Sequence, residues 1–150
     1  MSKTIKTLIR AWIYKVLSRK CNYRKGSLCK RKPTNLQHAL ILSDFISKLK
    51  INNIEILKYK VPYKLENIIA DAFIAIRKDN RNYIYFVEVE NTKQFNLSKY
   101  EQLYYNRSWK DIFPIFPGII VITDKPIKIN NKFNIINISL NLNNIEEKIK

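Results

Sequence analysis

Glycine, histidine and cysteine are scarce in this sequence of 150 residues. Gly26 and Gly118 are its only glycines, so it lacks the Gly-rich loops that hold phosphate in P-loop and dinucleotide-binding folds. Cys21 and Cys29 are too few for a disulfide scaffold, and together with the single histidine, His38, they match no zinc-binding spacing. We therefore expect two free thiols and no zinc site.

Acidic residues are absent from the first 43 positions, and the first one is Asp44. Residues 1–33 carry 11 Lys or Arg, whereas the remainder carries 17 basic and 12 acidic residues, and the formal net charge is +16. A basic segment of this kind is typical of proteins that bind a polyanion, most often nucleic acid. The sequence thus predicts DNA as the partner, with an anionic membrane surface as the alternative.

Long hydrophobic runs are also absent. No stretch approaches the roughly 20 apolar residues that a membrane-spanning helix needs. No small-residue cleavage site follows the N-terminal segment, as a secretory signal would require. We expect no stable membrane insertion and a cytoplasmic location.

The N-terminal part, residues 1–33, is predicted to be a basic amphipathic helix at 3–20 followed by a basic loop. Apolar residues recur at helical spacing along 3–20, and lysines and arginines lie mostly on the other side. The basic face is compatible with phosphate contact and equally with plain solvation. The side chains assigned to DNA contact are Lys3, Lys6, Arg10, Lys30, Arg31 and Lys32.

The rest of the chain, residues 34–150, is predicted to be one α/β (α+β) domain with a central mixed sheet. Its order is α-β-β-β-α-β with one extra strand. The predicted elements are a helix at about 35–49, strands at 52–60, 69–76 and 83–90, a helix at 95–107, and strands at 118–123 and 133–139. The strand at 118–123 is a continuous apolar run, which is typical of burial on both faces.

The packing sides of the two helices follow from their apolar residues. For the first helix these are Leu36, Leu40, Phe45, Ile46 and Leu49. For the second helix they are Leu97, Tyr100, Leu103 and Tyr104. Tyr104, Tyr105 and Trp109 are able to stack on bases, although core packing is favoured for most of them.

Three acids belong to two neighbouring predicted strands. Glu88 and Glu90 are two residues apart on one strand and therefore share a face. Asp71 joins them if the hairpin pairs position 71 with 88 or with 90, whereas a slip of one residue sends it to the opposite face. Clustered carboxylates repel one another unless a cation compensates them. The pattern indicates a divalent-cation site, with Mg²⁺ preferred, or a shared basic partner, and it favours such a site over solvated acids that pair with nearby lysines.

On these residues the chain resembles the PD-(D/E)XK nuclease superfamily. More narrowly it resembles the replication-relaxation proteins of plasmids and other mobile elements. The resemblance spans roughly residues 34–125. It covers His38 in LQHALILSDF, Asp71 in ADAF, the strand FVEVENT, and the following helix with Lys99 and Tyr105.

The resemblance implies a PD-(D/E)XK-like core in which Asp71 and Glu88 are the metal-binding acids. Nucleases of the superfamily carry a lysine two positions after the second acid, where this chain has Glu90. That lysine activates the attacking water, so its replacement puts catalysis in doubt. Lys99, or less well Lys93, is able to replace it, although an ordinary exposed lysine is the simpler interpretation. His38 is expected to be a satisfied, partly buried histidine.

Three functions are compatible with the sequence. The first is a DNA-binding accessory protein of a mobile element with little or no catalysis. The second is an active Mg²⁺-dependent deoxyribonuclease that uses Asp71, Glu88, Glu90 and Lys99. The third is a membrane-surface or protein-interaction module that uses the amphipathic segment 3–20. A rolling-circle relaxase is excluded because one histidine cannot form the metal-binding histidine cluster of those enzymes.

Overall fold

The computed structural model describes residues 36–149. The predicted helix at 3–20, the basic loop and the six side chains assigned to DNA contact lie outside the described residues. The helices are α1 (Leu36–Ile51), α2 (Ser98–Asn106) and α3 (Ile145–Lys148), with a 3-10 turn at Ser108–Asp111. The strands are β1 (Glu55–Lys60), β2 (Tyr63–Leu65), β3 (Ile68–Ala70), β4 (Ala72–Lys78), β5 (Arg81–Val89), β6 (Gly118–Ile122) and β7 (Ile135–Ile138).

Five strands form one mixed sheet in the order β1-β4-β5-β6-β7. The pairs β1–β4 and β4–β5 are antiparallel, and β6 and β7 are each parallel to their predecessor in the sheet. The change of direction follows from the connections, since a two-residue turn joins β4 to β5 while α2 carries the chain from β5 to β6. The predicted mixed α+β domain with a central sheet is confirmed.

The β4–β5 hairpin fixes the register on which the acids depend. Its turn residues, Asp79 and Asn80, both have positive φ, at 49° and 57°. This matches the tight two-residue turns whose twist suits antiparallel strands. The register pairs Ala72 with Val87.

The sheet separates two hydrophobic layers. One layer packs Ile74 and Val87 against Phe45 of α1, and the other packs Phe86 against Tyr100 of α2. All five residues of β6 are buried, and its four apolar side chains, from Ile119 to Ile122, alternate between the two layers. The predicted burial of this strand on both faces is therefore confirmed.

The predicted packing side of α1 is partly wrong. Leu36 and Leu40 are 63% and 56% exposed. The buried face consists of Leu42, Phe45 and Leu49, which follow one another at helical spacing. The apolar stripe of α1 is weak, so it does not by itself fix which side of the helix packs on the sheet. The side that is buried is the one whose side chains fill the space between α1 and the sheet.

The strands differ from the predictions near their ends. The predicted strand at 69–76 is divided at Asp71 into β3 and β4. The short hairpin of β2 and β3 forms a separate two-stranded sheet that the sequence did not indicate. Residues 52–54 form the turn after α1 rather than the start of a strand.

None of the helices within residues 36–149 is both long and apolar enough to cross a bilayer.

Candidate acidic site at the end of β5

Asp71 and Glu88 lie side by side at one end of the β4–β5 hairpin. The observed register, continued by one residue beyond Ala72 and Val87, places Asp71 opposite Glu88. The alternative pairing of 71 with 90 does not occur. Glu88 therefore lies on the face of the sheet that carries Phe86 and α2.

Asp71 stands in a bend between β3 and β4, where the strand ladder is interrupted. Its Oδ2 accepts a hydrogen bond of 2.8 Å from the backbone N–H of Val89. Its Oδ1 lies 3.8 Å from Nδ1 of His38 on α1. The carboxylate thus connects the end of β5 to the first helix.

Glu88 is buried, with only 3% of the residue exposed. Its Oε1 lies 2.6 Å from the ammonium nitrogen of Lys99 and also accepts a hydrogen bond from the hydroxyl of Tyr100. Lys99 donates a further hydrogen bond of 3.2 Å to the carbonyl of Ile69. Adjacent residues on α2 therefore hold the one carboxylate from two directions.

Glu90 follows directly after β5. Its backbone N–H donates to the carbonyl of Ile122, and its carbonyl accepts from Oγ1 of Thr123, at 3.0 Å and 2.7 Å. The parallel partner β6 therefore fixes the backbone at this position. The Glu90 side chain is only partly buried, and it shares the face of Glu88.

The pKa shifts of Glu88, Glu90 and Tyr100 reflect burial and the closeness of the acids to one another. Burial raises the pKa of Glu88, and the neighbouring Asp71 raises it further, whereas Lys99 and Tyr100 lower it. Burial also raises the pKa of Glu90, and Asp71 adds to this effect. The pKa of the Tyr100 hydroxyl is raised well above 10 by burial and by Glu88, so Tyr100 stays protonated and donates.

His38 belongs to the same cluster. Its Nε2 lies 3.0 Å from Oδ1 of Asn91, and its ring is partly buried, which agrees with the predicted satisfied histidine. The sequence contains a signal for this placement. His38 precedes Leu42 by four residues, and it therefore lies at the end of the buried face of α1.

Of the two lysines considered, Lys99 reaches the acids and Lys93 is exposed. Tyr100 was assigned to the packing side of its helix, and its ring is indeed buried. Its role as a hydrogen-bond donor to Glu88 was missed. A buried tyrosine carries a hydroxyl that needs a hydrogen-bond partner. This requirement is the sequence signal that could have predicted the contact between Tyr100 and Glu88.

Among residues 36–149, no group of three or more His, Cys, Asp or Glu side chains is arranged closely enough to hold a metal ion. The three acids are neighbours, but the Oε1 of Glu88 already contacts Lys99. The arrangement is a partly compensated acidic cluster with one ammonium group inside it.

The aromatic residues near the end of α2 divide into two kinds. Tyr104 and Trp109 stack at 6.0 Å and pack against Phe116, as core packing requires. Tyr105 is 60% exposed.

Comparison with protein-family models, with curated proteins and with solved structures gives no match for this chain.

Proposed function

We propose that this protein is a DNA-binding accessory protein of a plasmid or other mobile element, of the replication-relaxation type. Its domain would be a PD-(D/E)XK-like core that retains little or no catalysis. The observation that carries the proposal is the environment of Glu88, which lies where the resemblance expects a metal-binding acid. That carboxylate is buried and already held by Lys99 and Tyr100.

The order of the elements supports a PD-(D/E)XK-like core. Leaving aside the small β2–β3 hairpin, the chain runs α1, β1, β4, β5, α2, β6. The first three of these strands are antiparallel neighbours, and β6 returns parallel to β5 through α2. This is the α-β-β-β-α-β order that the resemblance implies.

The contacts of Glu88 support weak or absent catalysis. A ligand at this carboxylate would have to displace an ammonium group at 2.6 Å and a buried hydroxyl. Removing one partner of a buried ion pair typically costs a few kcal/mol. A nuclease needs its acids available to the phosphodiester, whereas a binding protein can keep them closed.

The charge supports DNA as the partner. The chain carries 28 basic residues, of which 11 lie in residues 1–33 without any acid. Neutralising phosphates releases condensed counterions, which supplies most of the affinity of non-specific DNA binding.

An active Mg²⁺-dependent deoxyribonuclease is the second candidate, and the position of Lys99 favours it. This lysine lies among the acids, beside Glu88, and its charge also acts on Glu90. It is therefore placed to replace the lysine that the superfamily carries where this chain has Glu90. The donor chemistry suits Mg²⁺, which binds one or two carboxylates together with waters and phosphate oxygens. Asp71 and Glu90 would hold the ion, which would supply positive charge for the phosphate.

One experiment separates the two candidates. Binding of labelled DNA is measured by fluorescence anisotropy, and cleavage of plasmid DNA is followed on gels with Mg²⁺ or Mn²⁺. The wild type is compared with Asp71→Asn, Glu88→Gln and Lys99→Met. The matched controls are Glu146→Gln and Lys50→Met, which alter exposed side chains of the same types.

The accessory protein is expected to bind DNA without cutting it, and the three site variants should bind as the wild type does. Cleavage that is lost in Asp71→Asn and Lys99→Met but kept in the controls would establish the nuclease instead. A wild type that binds no DNA at low salt would contradict both candidates. Stronger binding to anionic vesicles than to DNA at equal salt would favour a membrane-surface module.

A further inference from the structure

A cavity of about 900 Å³ opens beside the start of α2. Its walls are residues 94–98, residues 128–132 and Glu101. This volume lies within the range of small-molecule sites in proteins, roughly 300–1,000 Å³. We call it the α2 cavity.

The lining of the α2 cavity combines three kinds of chemistry. The amides of Gln94, Asn96 and Asn131 each provide donors and an acceptor. Phe95 offers an apolar ring, and Lys128 offers a positive charge. A flat ring with both donors and acceptors, linked to an anionic phosphate, fits this combination, and a nucleotide has that structure.

The walls of the cavity are held in place by hydrogen bonds. The Nδ2 of Asn130 donates to Oε1 of Glu101 at 3.0 Å, and its Oδ1 accepts from the backbone N–H of Lys132 at 3.1 Å. On the opposite wall, Oδ1 of Asn96 accepts from the backbone N–H of Ser98 at 3.1 Å. The contact between Asn130 and Glu101 therefore connects the 128–132 wall to α2.

Tyr105 presents an exposed aromatic ring on the same side of α2. It follows Glu101 by four residues, which places both on one helix face. Its hydroxyl accepts a hydrogen bond of 2.8 Å from the ammonium group of Lys132, a residue of the cavity wall. Tyr104 packs edge-on against the ring with a centroid distance of 5.6 Å. The ring is thus oriented by two neighbours and remains 60% exposed.

We propose that Tyr105 and the α2 cavity form a binding site for single-stranded DNA. One base stacks on Tyr105, an adjacent base enters the cavity, and Lys128 and Lys132 contact the phosphates. An unpaired strand is required because bases in a duplex are stacked and paired, and cannot enter a pocket without being extruded. Stacking on aromatic rings above basic residues is how many proteins hold single strands.

This inference rests on the proposed DNA-binding function and makes it more specific. Gln94 of the cavity wall follows Glu90 by four positions in the sequence. Lys99 directly follows Ser98, which is also in the wall. A strand held in the α2 cavity therefore lies beside the segment that carries the acidic cluster. The site belongs to the described domain and does not depend on residues 1–33.

The test compares two DNA ligands by fluorescence anisotropy at one salt concentration: a labelled oligothymidylate and the same strand paired with oligoadenylate. Tyr105→Ala removes the ring, and Tyr59→Ala is its control, because Tyr59 is a 44% exposed tyrosine on β1. Lys132→Gln removes a cavity lysine, and Lys50→Gln removes one exposed charge from α1. Tyr105→Phe keeps the ring and loses the contact with Lys132.

We expect Tyr105→Ala to weaken binding of the single strand roughly 5- to 150-fold, as the loss of one stacked base predicts. Tyr105→Phe should keep most of the affinity, Lys132→Gln should lose more than Lys50→Gln, and duplex binding should stay unchanged. Equal losses in the site and control variants, or equal losses for both ligands, would overturn the inference while leaving DNA binding intact. A wild type that binds neither ligand would overturn the proposed function itself.

Discussion

Glu88 is an acidic side chain enclosed between the sheet and α2, and its surroundings only partly compensate its charge. Lys99 and Tyr100 stabilise the carboxylate, but burial and the neighbouring Asp71 outweigh them and raise its pKa above 4.5. The folded protein therefore retains this proton to a higher pH than the unfolded chain does. That difference connects a single residue to the pH dependence of stability.

The raised pKa of Glu88 makes the protein less stable as pH rises. As pH rises above 4.5, the unfolded chain loses its Glu88 proton first, so the free energy of unfolding falls until the folded protein has also lost it. Glu88→Gln removes this contribution, which is at most about 1.4 kcal/mol per pH unit. Urea unfolding measured from pH 4.5 to 7 should show a shallower fall for this variant than for the wild type.

Glu146→Gln serves as the control for this prediction, because it removes an exposed carboxylate from α3. Its stability curve should run parallel to that of the wild type. Parallel curves for all three proteins would mean that Glu88 gains no proton affinity on folding.

At the scale of secondary structure elements, the first residue of β6 lies directly against the ring of Tyr85 on β5. Gly118 begins β6 and pairs with Tyr85 of β5. A Cβ atom at this position would lie 2.7 Å from two ring carbons of Tyr85 and 3.2 Å from the carbonyl oxygen of Asn134. Glycine is thus required at position 118, because any side chain there would overlap the ring of Tyr85.

Gly118→Ala is expected to destabilise the protein by about 1–3 kcal/mol, the usual cost of overpacking a filled core. Chemical denaturation measures the loss. The double variant Gly118→Ala/Tyr85→Val, which opens space beside the new methyl group, should lose less than the sum of the two single variants. Additive losses would show that the ring of Tyr85 does not limit this position.

At the scale of the whole molecule, the uneven charge distribution predicts how binding responds to salt. Each phosphate contact contributes about 0.9 to the slope of log affinity against log salt on duplex DNA. If Lys30, Arg31 and Lys32 contact phosphates, their joint replacement by Gln should reduce the magnitude of that slope by up to about 2.7. Anisotropy titrations at several salt concentrations measure it.

A variant with Lys50, Lys64 and Lys148 replaced by Gln loses the same formal charge from exposed positions of the described domain. Its slope should change less than that of the triple variant in the basic loop. Equal changes in the two variants would indicate that affinity follows net charge alone, with no preferred contact surface.

The sequence by itself determined the order of the main helices and strands, apart from the β2–β3 hairpin, together with the mixed α+β class and the strand that is buried on both faces. These features depend on local periodicity and on the tight turn at Asp79 and Asn80, whose effects act over a few residues. The sequence also predicted that Asp71, Glu88 and Glu90 lie close together. Alternation along a strand puts Glu88 and Glu90 on one face, and the pairing of the hairpin brings Asp71 opposite Glu88.

The two-residue turn at Asp79 and Asn80 set the register of the hairpin, whereas the tertiary structure alone decided how α1 is rotated. The face of α1 that fills the sheet brings His38 to Asp71, while Leu36 and Leu40 remain exposed. The tertiary structure also placed Lys99 and Tyr100 on Glu88. These contacts join residues from different elements, so they follow from packing and burial, which no local pattern of the sequence records.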